Sequence, residues 1–308
     1  MKAIMYHYVR SFDSKLPFFK YLDIDDFRKQ LDYFQEEFGC VSREEWDDFA
    51  ESGKMPCDNG KVILTFDDAM RCHYDYVFPE LVRRNLWGIF YVPTSPYLDN
   101  IILDVHRIHL LCGSYAGLDL LNMADSLIDE DMIPGEKIAE FRNRTYNHQE
   151  NTAGVSDFKR LMNYFVDYKF RTDIIDSVAE LLGFEFERNC FYVSLESLHE
   201  MKRGGMIIGS HSHSHPVMSR LAPVEQKIEI ETSLKFLGSL LEGAHTTYCH
   251  PYGGFHSFNE YTVNALKQLG VAYAFNVESR EIAPGDHGDF RFALPRFDCN
   301  LFPFGKAS

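Results

Sequence analysis

A run of apolar, β-branched and aromatic residues, Lys61-Val62-Ile63-Leu64-Thr65-Phe66, stops abruptly on Asp67-Asp68. Such a run reads as a strand buried on both faces, the kind found in parallel sheets. The pattern recurs. Met206-Ile207-Ile208-Gly209 leads into Ser210-His211-Ser212-His213-Ser214-His215, and Thr246-Thr247-Tyr248-Cys249 leads into His250-Pro251-Tyr252-Gly253-Gly254. In α/β folds the C-terminal ends of parallel strands are where ligands and catalytic groups gather. Three strand ends bearing polar chemistry therefore describe a site.

The residue types narrow its chemistry. Consecutive aspartates at a strand end point in different directions, so one can bind a metal ion while its neighbour stays available as a base. His211 and His215 can reach one ion if the residues between them form a turn of helix. Two imidazoles and one carboxylate leave coordination positions open, which suits a catalytic ion. Taken singly, an Asp-Asp pair is an ordinary cap or turn and a His-x-x-x-His spacing is common. Their joint occurrence at strand ends is the informative observation.

With these motifs the chain resembles the polysaccharide deacetylases of the NodB-homology type, carbohydrate esterase family 4. Thr65-Phe66-Asp67-Asp68 matches the family's first motif, with Ala69 in place of its glycine, and His211, Ser212 and His215 match the second. Met5-Tyr6-His7 resembles the opening strand of one branch, and Leu294-Pro295-Arg296-Phe297 its last strand. The resemblance spans most of the chain except roughly residues 100 to 190. It implies Asp67 as general base, one divalent ion on Asp68, His211 and His215, and the Tyr252 amide as an oxyanion donor in the His250-Pro251-Tyr252 loop. Zinc is the default ion, and cobalt and nickel fit similar sites. The implied reaction is removal of an N-acetyl group from an amino sugar, through a water molecule acidified by the ion and deprotonated by Asp67.

Two departures matter. The family's third motif supplies an arginine that orients the catalytic aspartate, and Cys249 stands there instead. A thiol cannot form that ion pair. Arg296 is the expected replacement, with Asp298 holding it in turn; an ordinary structural ion pair is the plain alternative. The family's C-terminal Leu-x-His acid has no match, and His7 and His250 are the nearest candidates, His7 ranking first because a strand-end histidine faces the barrel mouth. These gaps keep a catalytically impaired carbohydrate-binding protein of the same fold as the alternative function. A facial-triad iron enzyme also uses two histidines and a carboxylate, but needs no neighbouring aspartate base.

Composition sets limits on partners and location. With 308 residues, 45% of them hydrophobic, the chain can bury a substantial core. A net charge of −15 argues against nucleic acid as a partner. Seven scattered cysteines without paired metal spacing read as reduced thiols. No segment is apolar enough to span a membrane, and Met1 to Tyr6 enters a strand at once, so a cytoplasmic protein acting on an N-acetylated sugar or oligosaccharide intermediate of a surface polysaccharide is expected.

The expected architecture is α/β: an incomplete, roughly seven-stranded β/α barrel formed as one domain over residues 1–308. Helices are expected with an apolar face at Phe27, Leu31, Phe34 and Phe38, after a capping box at Ser42 to Glu45, and over Tyr74–Arg84, Val224–Leu241 and Asn259–Leu269. Gly88–Val92 and Tyr273–Val277 read as strands, and Pro284–Asp289 as a flexible turn. Residues 95–189 read as a helical insertion, with helices at Ile101–Leu111, Leu118–Ile128, Glu136–Arg142, Asp157–Phe170 and Asp173–Leu182. An insertion at a strand's C-terminal end suits a cap on the site, or else a dimer interface in a homo-oligomer or a stability element.

Overall fold

The computed structural model describes residues 1–57, 60–138, 154–188, 191–241 and 247–307. Cys190, Thr246 and the end of the expected Glu136–Arg142 helix lie outside them. The chain divides into two compact units, one of Met1–Ser11, Tyr21–Ile101 and Asn189–Ser308, the other of Phe12–Lys20 and Ile102–Arg188.

In the first unit the strands are β1 (Lys2–Tyr6), β2 (Val9–Arg10), β3 (Leu22–Asp23), β4 (Val62–Asp67), β5 (Ile89–Val92), β6 (Ile207–Ser210), β7 (Thr247–Cys249), β8 (Tyr273–Phe275) and β9 (Phe297–Asp298). Seven of them form one parallel sheet in the order β8-β7-β6-β5-β4-β1-β9, and β2 pairs with β3. The segment from Leu294 to Asp298 touches both ends of that order: Leu294 bridges Phe275 of β8, and Phe297 pairs with Ile4 of β1. The sheet thereby curls into an incomplete β/α barrel.

Alternation along the strands decides what each face carries. Leu64, Phe66, Phe90, Val92 and Ile208 pack outward with Phe27, Leu31 and Phe34 of the helix Ile24–Glu37 and Leu198 and Met201 of the helix Leu195–Arg203. Phe66 stacks between Tyr6 at 5.1 Å and Phe90 at 4.6 Å. Burying such a ring contributes roughly 2 kcal/mol, and truncating it to alanine costs about 3–5 kcal/mol once the cavity is counted. The other face gathers Ile63, Ile89, Tyr91, Ile207, Cys249 and Phe275. Residues 63, 65 and 67 share that inner face by period two, which carries Asp67 to the barrel's interior.

Several local elements differ from the sequence expectation. Tyr74–Arg84 is not one helix: a π-helical turn, His73–Val77, precedes the helix Phe78–Arg83, and Pro79 sits in that helix's first turn, where its missing N–H costs nothing. Residues 284–289 include a helical turn, Asp286–Asp289, fixed by Asp286 accepting from Arg280 and from the Ala283 amide. The capping box at Ser42 and Glu45 is formed, and the helix Arg43–Ser52 stops at left-handed Gly53.

The second unit contains the helices Asp104–Ser114, Gly117–Leu127, Val155–Arg160 and Tyr168–Leu182, and no strand among its described residues. The expected Asp157–Phe170 helix is divided, because a π-helical turn at Leu161–Phe165 is followed by extended Val166 and by Asp167, which caps the next helix through the Lys169 amide. Ile108, Leu111, Leu120, Phe158, Phe165 and Ile175 form this unit's own core. Among the described residues no helix is long and apolar enough to cross a membrane.

Candidate active site

Asp67 is the last residue of β4 and is buried with its carboxylate against Arg296, whose Nη1 and Nη2 donate to Oδ1 and Oδ2, both at 2.8 Å. Such a fork-to-carboxylate pair fixes the plane of the acid as well as its charge. Arg296 is fully buried and is itself held by the Asn276 carbonyl at 3.2 Å and Thr65 Oγ1 at 3.1 Å, with Cys249 Sγ 2.9 Å from Nη2. Burial alone would push the Asp67 carboxyl up, but the charge and hydrogen bonds of Arg296, with His211 nearby, outweigh it and hold it at about 2. Burial likewise opposes the charge of Arg296, yet Asp67 shifts it upward overall. Burial raises the Cys249 thiol well above its ordinary range, which keeps it uncharged beside the pair.

Asp298 does not hold Arg296. Its carboxylate accepts from the Asn300 amide at 3.0 Å and caps the 3-10 turn Cys299–Leu301, a local bond available as soon as β9 ends.

Asp68 leaves the strand with φ of 81°, the left-handed region, and Ala69 follows at 51°. This reversal turns the second carboxylate away from the first. Asp68 Oδ1 lies 3.5 Å from His211 Nε2 and 3.3 Å from His215 Nε2. His211 is oriented from behind, since its Nδ1 bonds the Cys249 carbonyl at 2.9 Å and leaves Nε2 for the cluster. The two histidines do not converge through a turn of helix. Residues 211–215 form an irregular loop with φ of 63° at Ser212 and 57° at His215, pinned by Ser212 Oγ accepting from the His215 amide at 3.0 Å. Glu229 braces it from the helix Pro223–Leu240, accepting from the His213 amide at 3.0 Å, the Ser214 amide at 2.8 Å and the Ser214 hydroxyl at 2.7 Å. Left-handed backbone at Asp68, Ala69, Ser212 and His215 is strain that the surrounding bonds must overcome.

The Asp68, His211 and His215 atoms lie within 4.8 Å of one another, and all three residues are buried. Ligands about 2.0–2.1 Å from a tetrahedral ion stand about 3.3 Å apart. The observed oxygen-to-nitrogen separations of 3.3 and 3.5 Å fit such an ion. The cluster can hold a metal.

The remaining expected residues fall in different places. His7 Nε2 is 3.9 Å from Asp68 Oδ2, and its side chain is 42% exposed, so it stands at the mouth of the cluster. His213 turns aside, to Thr94 Oγ1 at 3.0 Å and Asp99 at 3.3 Å. His250 is occupied elsewhere, its Nε2 on the Phe292 carbonyl at 2.8 Å and its ring stacked 3.7 Å from that of Phe258; burial takes it down to about 3. Pro251 and Tyr252 follow, with Tyr252 left-handed at φ of 65° and its ring 4.9 Å from that of His215. Gly253 continues the turn at φ of 62°, where a Cβ would stand 2.2 Å from Val277. Thr65, Asn276 and Glu229 are supporting residues that sequence reasoning did not single out. Thr65 belongs to a quoted motif, whereas nothing in the spacing marks the other two.

The polysaccharide deacetylase family model matches residues 183–274, a span that includes His211, His215 and Tyr252. No curated protein matches the chain in sequence. Among solved structures, a deacetylase, PplD, from Streptococcus pyogenes in complex with acetate aligns with a TM-score of 0.58 at 18% identity, covering 97% of this chain and 91% of that one. IcaB from Ammonifex degensii aligns with a TM-score of 0.53 at 18% identity, over 96% and 90% of the two chains. A de-N-acetylase from Aggregatibacter actinomycetemcomitans aligns with a TM-score of 0.52 at 15% identity, over 96% and 93%. The chain is thus similar to the polysaccharide deacetylases twice over, in fold along nearly its whole length and in sequence across residues 183–274.

Proposed function

We propose that this protein is a metal-dependent hydrolase that removes the N-acetyl group from an amino sugar of a polysaccharide precursor. The observation that carries the reading is the division of labour at the end of β4: Asp67 is locked by Arg296, while the adjacent Asp68 is turned onto His211 and His215. A divalent ion, zinc by default, held by Asp68, His211 and His215 supplies Lewis acidity that polarises an amide carbonyl and acidifies water.

The chain's own groups do the rest. Asp67, aimed by Arg296, accepts the proton of the attacking water. The backbone amide of Tyr252, on the loop packed against His215, donates to the oxyanion that forms on the acetyl oxygen. Such a preorganised donor is worth on the order of 3 kcal/mol. His7, beside Asp68 and open to solvent, returns a proton to the departing amine nitrogen. The carbon–nitrogen bond breaks, and acetate and a free amine leave.

Acetate release from N-acetylglucosamine oligomers, measured with and without chelator, tests this reading directly. Release should require added metal. Asp67→Asn should lower it by about 10²-fold or more while bound metal, measured by elemental analysis, stays near that of the parent. Asp68→Ala should lose the metal. Sugar binding without any acetate release in the metal-loaded protein would instead assign it a binding role.

A further inference from the structure

One buried histidine of the first unit takes no part in the chemistry above, yet it touches the backbone of a residue that does. His73 is fully buried at the start of the π-helical turn His73–Val77, a local widening often found at functional positions. Its ring packs edge-on against those of Phe66 at 5.7 Å and Phe90 at 5.8 Å. Its Nε2 lies 2.6 Å from the backbone carbonyl of His7. A carbonyl oxygen only accepts, so this bond fixes the proton on Nε2. Burial takes the ring down to about 4, which leaves it neutral near pH 7 and keeps that tautomer in place.

The other nitrogen separates His73 from a residue that merely fills space. Nδ1 is buried and has no hydrogen-bond partner among the described residues. An unpaired buried polar atom is unfavourable, and a phenylalanine would pack between Phe66 and Phe90 without that cost. What phenylalanine lacks is the donor to His7.

The bond also lies where the sheet can no longer help. β1 and β4 are paired as far as Tyr6 and Phe66, and beyond that register the two chains part, one carrying His7 and the other Asp67 and Asp68. His73, five residues after Asp68, reaches back across the gap to the His7 carbonyl. Farther along, the hydroxyl of Tyr76 meets Ser11 Oγ at 2.9 Å and ties the same two segments again. Among the described residues no hydrogen bond holds the His7 ring itself, whose Nε2 stands 3.9 Å from Asp68 Oδ2. The place of that ring therefore depends on its backbone.

We propose that His73 is a positioning residue: by holding the His7 carbonyl, it sets where the His7 imidazole stands against Asp68 and the departing amine. The effect on turnover rests on the reading of His7 as the acid. The effect on geometry rests on the hydrogen bond alone.

Two variants separate the donor from the packing. His73→Phe keeps a ring between Phe66 and Phe90 and removes the donor; His73→Gln keeps a donor. In the metal-loaded protein His73→Phe should lower acetate release from N-acetylglucosamine oligomers by about tenfold or more, but cleavage of an aryl acetate, whose leaving group needs no proton, by less than about twofold. His73→Gln should recover part of the loss, and His73→Phe should cost nothing further in a His7→Gln background. Crystal structures of the parent and of His73→Phe should show the His7 ring displaced from Asp68 in the variant. His73→Leu serves the same purpose if melting curves show the phenylalanine variant to be unfolded. An unmoved His7 ring would overturn the proposal, as would equal losses on amide and ester or an undiminished loss in the His7→Gln background. A displaced ring in a protein whose parent releases no acetate would leave the positioning standing and remove the deacetylase reading.

Discussion

Asp67 and Arg296 stand 229 positions apart in sequence and meet through two parallel 2.8 Å hydrogen bonds in the barrel's interior. The pairing gives Asp67, from a distant part of the chain, a cation that the neighbouring Cys249 cannot supply. It also explains why a thiol is tolerated there: Cys249 Sγ lies 3.5 Å from Asp67 Oδ2 and 2.9 Å from Arg296 Nη2, filling space beside a pair that is already closed.

Arg296→Ala should be among the most damaging single changes. Removing one partner of a buried pair leaves the other charge uncompensated, at a cost of about 3–5 kcal/mol. Urea unfolding should show that loss, and acetate release should fall with it. Arg296→Met combined with Asp67→Asn should recover much of the stability but none of the activity. Equal stability of Arg296→Ala and the parent would mean that the pair contributes nothing.

Glu229→Gln tests the support under the histidine loop. Glu229 accepts two amides and one hydroxyl there, from His213 and Ser214, and none of these bonds involves Asp68, His211 or His215. Loss of an outer-shell partner of this kind typically weakens metal affinity by about 10–100-fold. A chelator competition titration reads the change, and an unaltered affinity would show that the loop holds its shape without Glu229.

His7→Gln should reduce turnover by about 10²-fold or more if His7 protonates the amine, while leaving bound metal in place. The deficit should narrow for an acetylated substrate whose leaving group needs no proton, such as an aryl ester. An identical deficit on both substrates would assign His7 a structural role.

Acid stability carries a separate signature. His73 and His250 are buried, and burial takes them down to about 4 and about 3. The unfolded chain, with histidine near pKa 6.5, binds these protons more readily than the folded one, so stability is lost as pH falls from about 6.5 toward 4. Asp67 acts in a lower window: its folded value, about 2, lies below the ordinary carboxylate value, so its contribution is present above about pH 4 and disappears as pH falls toward 2. Denaturant midpoints recorded from pH 7 to 4 should flatten in His250→Phe, whose ring can stack on Phe258. A slope unchanged in that variant would remove His250 from the account.

The strand at Val62–Asp67 was legible because an uninterrupted apolar run has few alternatives, and the motifs at its end and after β6 named their residues. Arg296 was placed by position alone; what sequence does not display is that Leu294 pairs with β8 and Phe297 with β1, which aims Arg296 at the interior. The left-handed residues Asp68, Ser212 and His215 carry no local marker, because tertiary bonds and not their own propensities impose that backbone. The π-helical turns also escaped, since five-residue spacing leaves no clear apolar period over one turn. His250 looked catalytic from its loop and proved to be a ring in the stack with Phe258.

The seam formed by Leu294–Asp298 has a consequence for biosynthesis. During translation the strand bearing Asp67 emerges long before the residue that neutralises it, so a barrel attempting to close early must enclose a lone carboxylate. That state is unfavourable by the same margin that the finished pair removes. Closure of the barrel around Asp67 and its pairing with Arg296 therefore become a single event, which cannot precede the synthesis of Arg296.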